Sequence, residues 1–377
     1  MYRNERALME RQIEVIPYEC FNDTIDESTL GKKVRLALDG AWSRHAYQEL
    51  SSLIQKNRPD IAHFHNTFPQ ISPSAYAACR DSGVPVVQTL HNFRLICPGA
   101  LLMRDGLPCE DCVGTNLLPA MRHRCYRGSL PATGALVWML MRNRWQGTYT
   151  TLVNRYIALT KFAAGRLIAG GLPRDRMSVK PNFLPDISAA GPGDGGYAVY
   201  VGRLSEEKGV RTLLAAWKQV PGILLKIMGD GPLRKELELT AVRDQSSVVF
   251  LGFCDRPTVV DIVGRAAFQI IPSEWYEGFP MVVVEAYACG TPVVASRIGS
   301  LDEIVEEGVT GVKFEPGNPR DLAEKVNALW IDRVRQTMLR RTARECFENN
   351  YSSEKNYEAL MAIYKAAIKD HDQTARG

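Results

Sequence analysis

The sequence predicts an α/β protein built from two parallel-sheet domains, and three observations support this class. From Tyr197 onward, short apolar runs typical of buried strands alternate with helical segments, and such alternation produces parallel sheets covered on both faces. The first half repeats this alternation less regularly. Between the halves lies PNFLPDISAAGPGDGG, residues 181–196, whose Pro, Gly and Asp content indicates a linker.

Composition excludes several classes of protein. The chain has 377 residues, 45% apolar and 23% charged, which is ordinary for a globular protein of two domains. No apolar run reaches the roughly 18 residues of a membrane span, and MYRNERALMERQIEV lacks the apolar core of a signal peptide. Nine scattered cysteines favour a reducing cytoplasm. A net charge of +4 is too small to indicate nucleic acid but suits an anionic substrate.

The first half contains strand and helix candidates in alternation. Apolar, β-branched runs predict strands in IEVIPYE, IAHFH, VPVVQTLH, RYIALT and MSVKP. Helices are expected at residues 44–55, 73–82, 132–144 and 161–168.

The second half is more regular. Strands are predicted in YAVYVG, ILLKIMG, VVFLG, AFQIIPS, PVVAS and GVKFE, with helices in EEKGVRTLLAAWKQV, in PLRKELELTAV and after Arg333. The Gly-rich stretches VGRLSEEKG, MGDGP and EGFP each follow a strand. Since ligands of parallel sheets bind beyond the carboxyl ends of the strands, these stretches should meet at one binding edge.

The stretch YEGFPMVVVEAYACGTPVVAS, residues 276–296, contains a conflict. Its three consecutive valines favour a strand, but Pro280 and Gly290 occupy positions typical of a helix start and stop. We therefore predict a short helix between them. Glu277 precedes this helix and Glu285 lies within it, so two carboxylates flank a helix N-terminus.

Arg203 and Lys208 lie in the loop after the first strand of the second half. A guanidinium fork and a flexible ammonium on one loop suit a diphosphate, to which a helix N-terminus offers N–H groups. A carboxylate can hold ribose hydroxyls. These parts predict a sugar-nucleotide site. The alternative is that both are surface charges paired with Glu206 and Glu207.

The motifs VGRLSEEKG, MGDGP, SEWYEGFPMVVVEAYACGTPVVAS and GVTGVKFEPGNP resemble the donor half of the family 4 retaining glycosyltransferases. Seven residues separate Glu277 from Glu285, as in that family's paired-glutamate motif. The first half resembles the family through PDIAHFHNT, VPVVQTLHNFRLICPG and IALTKFAAGRL. The resemblance implies the GT-B fold, in which two Rossmann-like domains face a central cleft.

The resemblance also implies residue roles. Arg203 and Lys208 would neutralise the departing diphosphate, Glu277 would contact the transferred sugar, and His91 would face the reacting sugar across the cleft. His65 is open between a functional and a structural strand-end role. The implied donor-binding set is Arg203, Lys208, Gly231, Gly278, Phe279, Pro280 and Glu285. Catalysis in this family usually requires no bound metal.

The start of the chain departs from the family pattern. Members usually open with a strand and a Gly-rich loop before the segment that ERALMERQIEV resembles. We expect an N-terminal domain without its usual first strand, either because the chain is a fragment or because the domain is rearranged. The expected bounds are 1–185 for this domain, 186–350 for the donor-binding domain, and 351–377 for a C-terminal helix that crosses back to the first.

Cys97, Cys109, Cys112 and Cys125 cluster in an insertion at residues 97–125. Four thiolates in one loop suit a structural zinc or an iron–sulfur cluster. The alternative is four reduced, partly buried cysteines.

An apolar segment follows, RHRCYRGSLPATGALVWMLMRNRWQG. It contains Arg122, Arg124, Arg127, Arg142 and Arg144. Tryptophan and methionine flanked by arginine are typical of a helix at a membrane surface, and a core helix is the alternative. The first alternative places the protein at the inner face of the membrane and implies a lipid-linked acceptor.

We therefore expect a retaining glycosyltransferase that transfers a hexose from a nucleotide-diphosphate sugar to a glycan or lipid-linked acceptor. One rival is a sugar-nucleotide epimerase of the same architecture, against which the paired glutamates argue. The other is a catalytically inactive sugar-nucleotide-binding or scaffold protein, motivated by the missing strand.

Overall fold

The computed structural model describes residues 2–22, 25–26, 28–114, 116–185 and 190–376. The chain forms two compact units. The first comprises Met1–Leu102, Cys109–Lys180 and Tyr357–Gly377; the second comprises Met103–Pro108 and Pro181–Asn356. The expected linker overlaps residues 186–189, which lie outside the described part.

The first unit holds a four-stranded parallel sheet in the order β1-β2-β5-β6. Its strands are β1 (Ala62–Phe64), β2 (Val86–Leu90), β5 (Arg155–Ala158) and β6 (Met177–Val179). Its helices are α1 (Tyr2–Met9), α2 (Leu30–Ala41), α3 (Arg44–Asn57), α4 (Ser74–Asp81), α5 (Leu118–His123), α6 (Leu130–Trp145), α7 (Thr148–Thr151) and α8 (Lys161–Ala169). Two short strands, β3 (Met103–Arg104) and β4 (Leu107–Pro108), form an antiparallel pair that groups with the second unit.

Four of the five strands predicted in the first half are present, but the prediction for IEVIPYE is wrong. Residues 13–19 follow α1 without regular structure. Pro17 in this segment has no N–H to give to a ladder, which disfavours it as an interior strand. The four predicted helices are present as α3, α4, α6 and α8, with ends shifted by a few residues.

The second unit contains a six-stranded parallel sheet in the order β12-β11-β10-β7-β8-β9. Its strands are β7 (Tyr197–Val201), β8 (Leu224–Met228), β9 (Val248–Gly252), β10 (Phe268–Ile271), β11 (Val293–Ser296) and β12 (Gly311–Phe314). Its helices are α9 (Val210–Trp217), α10 (Arg234–Arg243), α11 (Arg256–Arg265), α12 (Met281–Ala288), α13 (Gly299–Ile304), α14 (Pro319–Ile331) and α15 (Arg333–Asn350). The last helix, α16 (Ser353–Arg376), begins here and continues into the first unit.

Helices cover both faces of the second sheet, as two apolar clusters show. One cluster joins α9, α10 and α14 to the strands, and the other joins α11, α12 and α15 to them. In the first unit, α16 contributes Leu360, Ile363 and Ala367 to a core that includes Val87 of β2 and Ile157 of β5. Both sheets are parallel and alternate with helices, so the predicted fold class is confirmed.

The strand order of the second sheet determines where a ligand can bind. From β7 the chain winds outward through β8 to β9 and then returns to β10 on the other side of β7. The adjacent carboxyl ends of β7 and β10 therefore form a topological switch point, where open α/β sheets open a crevice for ligands. VGRLSEEKG follows β7 and SEWYEGFP follows β10.

Candidate functional site

Lys208 and Glu277 come together at the switch point. Lys208 Nζ lies 2.6 Å from Glu277 Oε1, and Ser273 Oγ donates a hydrogen bond to the same oxygen at 2.7 Å. The Glu277 residue is only 7% exposed. A buried carboxylate requires such partners because burial of an unpaired charge is costly.

Two close backbone approaches bring these loops together. Gly209 has φ +65°, and a Cβ built on it would lie 1.8 Å from the Pro272 carbonyl oxygen. Glu274 N–H donates to the Glu207 carbonyl at 2.9 Å, and Thr212 Oγ1 donates to Glu274 Oε1 at 2.5 Å. Only glycine fits at position 209, and it places Lys208 beside the loop that carries Glu277.

Sequence reasoning missed Ser273 and Trp275 as site residues. The Lys208 ammonium lies 5.3 Å from the centroid of the Trp275 ring, a cation–π distance. Trp275 Nε1 is buried and has no hydrogen-bond partner in the described part of the chain. Both residues lie in the segment SEWYEGFP with Glu277, and this proximity in sequence could have identified them.

Arg203 is not drawn into this cluster. Its side chain is exposed and makes no hydrogen bond or ion pair within the residues that the structure describes. The alternative pairing with Glu206 and Glu207 is also not formed. Glu206 pairs with Arg211 at 2.8 Å, and Glu207 accepts from Ser205 Oγ at 2.6 Å. The Arg203 guanidinium thus remains available to a ligand.

The valine-rich stretch forms α12, as the punctuating Pro280 and Gly290 predicted. Pro280 is the N-cap residue, no side chain caps the helix, and Gly290 after it has φ +64°. Pro280 has no N–H and therefore cannot donate a hydrogen bond to a ligand. The Phe279 ring packs against Tyr351 at a centroid distance of 6.2 Å. The backbone N–H donors at this helix start are therefore those of Gly278, Phe279 and the first turn of α12.

Glu285 lies in the second turn of α12 and differs from Glu277. It has no side-chain hydrogen bond within the described residues, and burial raises the pKa of its carboxyl, an effect that nearby Arg256 partly offsets. A half-buried acid without a committed partner is typical of a functional site.

Gly231 contributes to the site through its lack of a side chain. A Cβ at this position would lie 2.4 Å from the Leu204 carbonyl oxygen, and Leu204 N–H donates to the Asp230 carbonyl at 2.9 Å. The loop after β8 is thereby held against the loop that carries Arg203.

The first unit contains a second polar cluster, at the carboxyl end of its sheet, around His91. His91 Nε2 lies 2.9 Å from His65 Nδ1. His65 Nε2 lies 3.3 Å from Glu5 Oε1, and Lys180 Nζ lies 2.9 Å from Glu5 Oε2. Glu5 and Lys180 are 4% and 1% exposed, so this is a buried ion pair.

His63 completes the cluster. Its Nδ1 lies 2.8 Å from Tyr364 Oη, and its Nε2 lies 2.8 Å from Thr89 Oγ1. Glu5, His63 and His65 offer ligand atoms within 4.8 Å of one another, a spacing that a metal could use. The Lys180 ammonium on Glu5 does not suit a metal cation. Glu5 Oε1 is buried and has no hydrogen bond of good geometry within the described residues, so its contacts with His63 and His65 are electrostatic.

Comparison with known families agrees with this architecture. Residues 5–186 match the sequence model of Glycosyltransferase Family 4, and residues 188–346 match that of Glycosyl transferases group 1. The chain belongs to glycosyltransferase family 4.

Individual relatives agree with this family assignment. An uncharacterized glycosyltransferase of Methanocaldococcus jannaschii is 30% identical over 60% of this chain and 65% of its own length. D-inositol 3-phosphate glycosyltransferase 1 of Catenulispora acidiphila is 28% identical over 82% of this chain and 73% of its own. The Anabaena protein HepE in complex with UDP superposes with a TM-score of 0.62 at 21% identity, covering 84% of this chain and 82% of HepE. The chain thus spans less than two thirds of the length of the first of these relatives, and the likeness to HepE confirms the GT-B fold.

The four cysteines of this family 4 protein lie in one loop region of the first unit. Cys97 and Cys112 are buried, whereas Cys109 and Cys125 are partly exposed. Burial, together with the neighbouring Cys97, Cys125 and Cys109, raises the pKa of the Cys112 thiol to about 11. No three of the four sulfurs lie within 4.8 Å of one another.

Arginines hold this loop. Arg144 donates to the carbonyls of Gly114 and Leu95, each at 3.0 Å, and Arg166 pairs with Glu110 at 2.5 Å. These contacts tie the loop without a metal, and the metal site stays a prediction.

The helix α6 of this family 4 protein exposes one apolar face. Trp138, Met141 and Trp145 project from successive turns, and Trp145 is 88% exposed. Arg142 stacks on Trp42, and Arg144 is engaged as above. Arg122, Arg124 and Arg127, which precede this helix in the sequence, are exposed. No helix in the described ranges is long and apolar enough to span a membrane.

Metal analysis of the purified protein tests the cysteine prediction. We expect about one zinc ion per chain, lost on Cys112→Ser, because thiolates bind zinc tightly. Cys254→Ser provides a matched control that should retain the metal. Four freely titratable thiols and no bound zinc or iron would leave the reduced-cysteine alternative.

The histidine cluster predicts that the first unit loses stability in mild acid. Burial and the neighbouring His65 lower the pKa of His63 to about 3 and of His91 to about 4. Near pH 5 the unfolded chain therefore binds about two more protons at these residues, which makes stability rise with pH by about 2.5 kcal/mol per unit. Although burial opposes ionisation of Glu5, His65 and Lys180 hold its pKa well below the usual range, which extends the trend to lower pH.

Urea unfolding at several pH values between about 4.5 and 6.5 measures this slope. Unfolding of the first unit is detected by the proteolytic fragments that it then yields. The variant His91→Gln should reduce it by roughly half, because one of two titrating groups is removed. Replacement of the exposed His45 by Gln is the control and should leave the slope unchanged. An identical slope for His91→Gln would contradict the prediction.

Proposed function

We propose that this chain is a retaining glycosyltransferase that transfers a hexose from a nucleoside-diphosphate sugar to a glycan or lipid-linked acceptor. The observation that carries the proposal is the Lys208–Glu277 contact of 2.6 Å at the switch point of the second unit. It joins a cation that would bind phosphate to a carboxylate that would bind the sugar. Membership of glycosyltransferase family 4 supports the class of reaction.

The donor diphosphate would bind to Lys208 and Arg203. A lysine ammonium has three donors, and one is committed to Glu277, so others remain for phosphate oxygens. The Arg203 fork suits two oxygens at once. The first turn of α12 adds free N–H groups and the positive end of its dipole. HepE, which shares the fold, was solved with UDP, and this agrees with such a ligand.

The two carboxylates would divide the rest of the donor between them. Glu285, whose carboxylate oxygens accept no hydrogen bond within the described residues, would accept hydrogen bonds from the ribose hydroxyls. Glu277 would accept a hydrogen bond from a hydroxyl of the transferred sugar, because Ser273 and Lys208 both contact Oε1 and leave Oε2 for a ligand. Trp275 Nε1 has a donor to offer in the same region.

In the reaction, the bond between the anomeric carbon and the diphosphate breaks and a bond to the acceptor oxygen forms. The acceptor proton ends on the departing diphosphate, which balances the exchange. In such a single exchange, with no covalent glycosyl–enzyme intermediate, retention requires the acceptor oxygen to approach from the face that the diphosphate leaves. Lys208, Arg203 and the amides of α12 stabilise the charge that builds on the leaving group, so the proposal needs no bound metal.

The lipid-linked acceptor is supported by the exposed face of α6. Trp138, Met141 and Trp145 form an apolar stripe with exposed arginines nearby, a combination that favours the surface of an anionic membrane. A peripheral contact of this kind would bring the protein to the inner face of the membrane, where lipid-linked sugars are accessible.

Turnover of nucleotide sugars by the purified chain tests the proposal. We expect release of nucleoside diphosphate from one donor in a panel, faster when lipid-linked or oligosaccharide acceptors are present. Nuclear magnetic resonance of the product should show the anomeric configuration of the donor. Inversion would exclude the retaining mechanism, and tight diphosphate binding without turnover would favour a sugar-nucleotide-binding protein.

Variants of Arg203 and Lys208 test the leaving-group assignment. Arg203→Ala and Lys208→Ala should each lower kcat by about 10²–10³, because they act on charge that develops in the transition state. The double variant should lose less than the product of the two effects. Arg203→Lys should recover only part of the rate, since a point charge cannot make the forked contact.

Arg211→Ala is the matched control, because Arg211 pairs with Glu206 and Glu236 on the surface. It should retain kcat within about twofold, as surface pairs contribute little. Near wild-type kcat for both Arg203→Ala and Lys208→Ala would place the leaving-group site elsewhere.

A further inference from the structure

A continuous polar path leads from a buried ion pair to His91. Lys180 contacts one oxygen of Glu5 at 2.9 Å, the other oxygen lies 3.3 Å from His65 Nε2, and His65 Nδ1 lies 2.9 Å from His91 Nε2. The His65 and His91 ring planes are within 19° of each other. These groups come from α1, from the segments after β1 and β2, and from the residue after β6.

The chemistry of these atoms determines where the protons lie. Beside Lys180 the Glu5 carboxylate is ionised and can only accept. The nitrogen that faces it, His65 Nε2, must therefore carry a proton, because two lone pairs would repel at this distance. With its proton on Nε2, His65 has a lone pair on Nδ1. His91 Nε2 must carry the proton that fills the 2.9 Å contact.

We infer that Glu5 and His65 are positioning residues that hold His91 as the neutral tautomer protonated on Nε2, so that its Nδ1 presents a lone pair. No partner for His91 Nδ1 is found among the described residues. The lone pair makes His91 an acceptor for a substrate hydroxyl rather than a donor. The catalytic meaning of this state rests on the proposed function, but the tautomer itself does not.

Lys180 determines which end of an amide side chain at position 5 would face His65. If Glu5 were a neutral amide, its carbonyl oxygen would face the Lys180 ammonium, and its NH₂ group would face His65. That group would donate to His65 Nε2, so His65 would carry its proton on Nδ1 and donate to His91 Nε2. His91 would then carry its own proton on Nδ1. Glu5→Gln is therefore expected to reverse the tautomer of both histidines.

Imidazole nitrogen resonances of protein labelled with ¹⁵N-histidine measure the tautomers directly, since protonated and unprotonated nitrogens are well separated in chemical shift. In the wild-type protein we expect His91 and His65 protonated on Nε2 near neutral pH. The signals are assigned with His65→Gln and His91→Gln, and the exposed His45 provides an averaged reference. A His91 protonated on Nδ1 in the wild-type chain would overturn the inference, whatever the variants do.

Glu5→Gln tests the role of the carboxylate, and Tyr364→Phe is its matched control. Tyr364 contacts the other histidine, His63, at 2.8 Å, and its removal leaves the path to His91 intact. We expect reversed tautomers in Glu5→Gln and wild-type tautomers in Tyr364→Phe. Retention of the wild-type tautomer at His91 in folded Glu5→Gln would show that Glu5 does not set it.

Kinetics connect the tautomer to the reaction. Glu5→Gln should lower kcat by about tenfold or more, less than the roughly 10⁴ that follows when a base in a catalytic triad is held in the wrong tautomer. Affinity for free nucleoside diphosphate should not change, because its proposed ligands belong to the second unit. A reversed tautomer with unchanged kcat would overturn the positioning role. An inactive wild-type chain with the expected tautomers would instead contradict the proposed function and leave the tautomer assignment standing.

Discussion

The candidate donor site depends on the approach of two backbones at the switch point of the second sheet. The loop after β7 touches the loop after β10 where Gly209 meets the carbonyl of Pro272, at a distance that leaves no room for a side chain. Lys208 precedes this glycine, and Ser273 follows the proline. The ion pair between Lys208 and Glu277 and the hydrogen bond from Ser273 follow from this contact. A similar contact at Gly231 holds the loop after β8.

Glu277 and Glu285 illustrate two ways in which a protein keeps an acid in a partly buried position. Glu277 has an ammonium and a hydroxyl on one oxygen, so much of its desolvation is offset. Glu285 has no such partners among the residues that the structure describes, and its pKa rises because burial disfavours the charge. An acid that costs stability in the free protein and has open acceptors is better suited to a ligand than to the fold.

The buried charges of the first unit follow a different pattern. Glu5 and Lys180 form an ion pair within a region that also holds three histidines. Burial keeps the pKa of His63 and His91 low, so these two rings are neutral. The charges of the Glu5 carboxylate and the Lys180 ammonium offset each other. Removal of one member of a buried pair leaves an uncompensated charge. The cluster is therefore more constrained than the outer face of α6, where Trp138, Met141 and Trp145 are exposed.

Local patterns in the sequence determined most of the secondary structure and the identity of the donor-site motifs. These patterns are local: the alternation of strands and helices, the proline and glycine around α12, and the glycines of VGRLSEEKG and MGDGP. Each depends only on residues a few positions away, so each can be recognised from the sequence before the fold is known. IEVIPYE was misjudged because an apolar run becomes a strand only where a neighbour can pair with it, and Pro17 weakens that pairing.

Only the tertiary structure decided which charged groups meet. Lys208 has Glu206 and Glu207 beside it in sequence, yet it pairs with Glu277, 69 positions away. Glu5 and Lys180 are 175 positions apart, and His63 and Tyr364 are 301 apart. Such contacts depend on the order of strands and the packing of helices, which no local pattern encodes. The residue types at the site were legible in the sequence, but their partners and their protons were set by the fold.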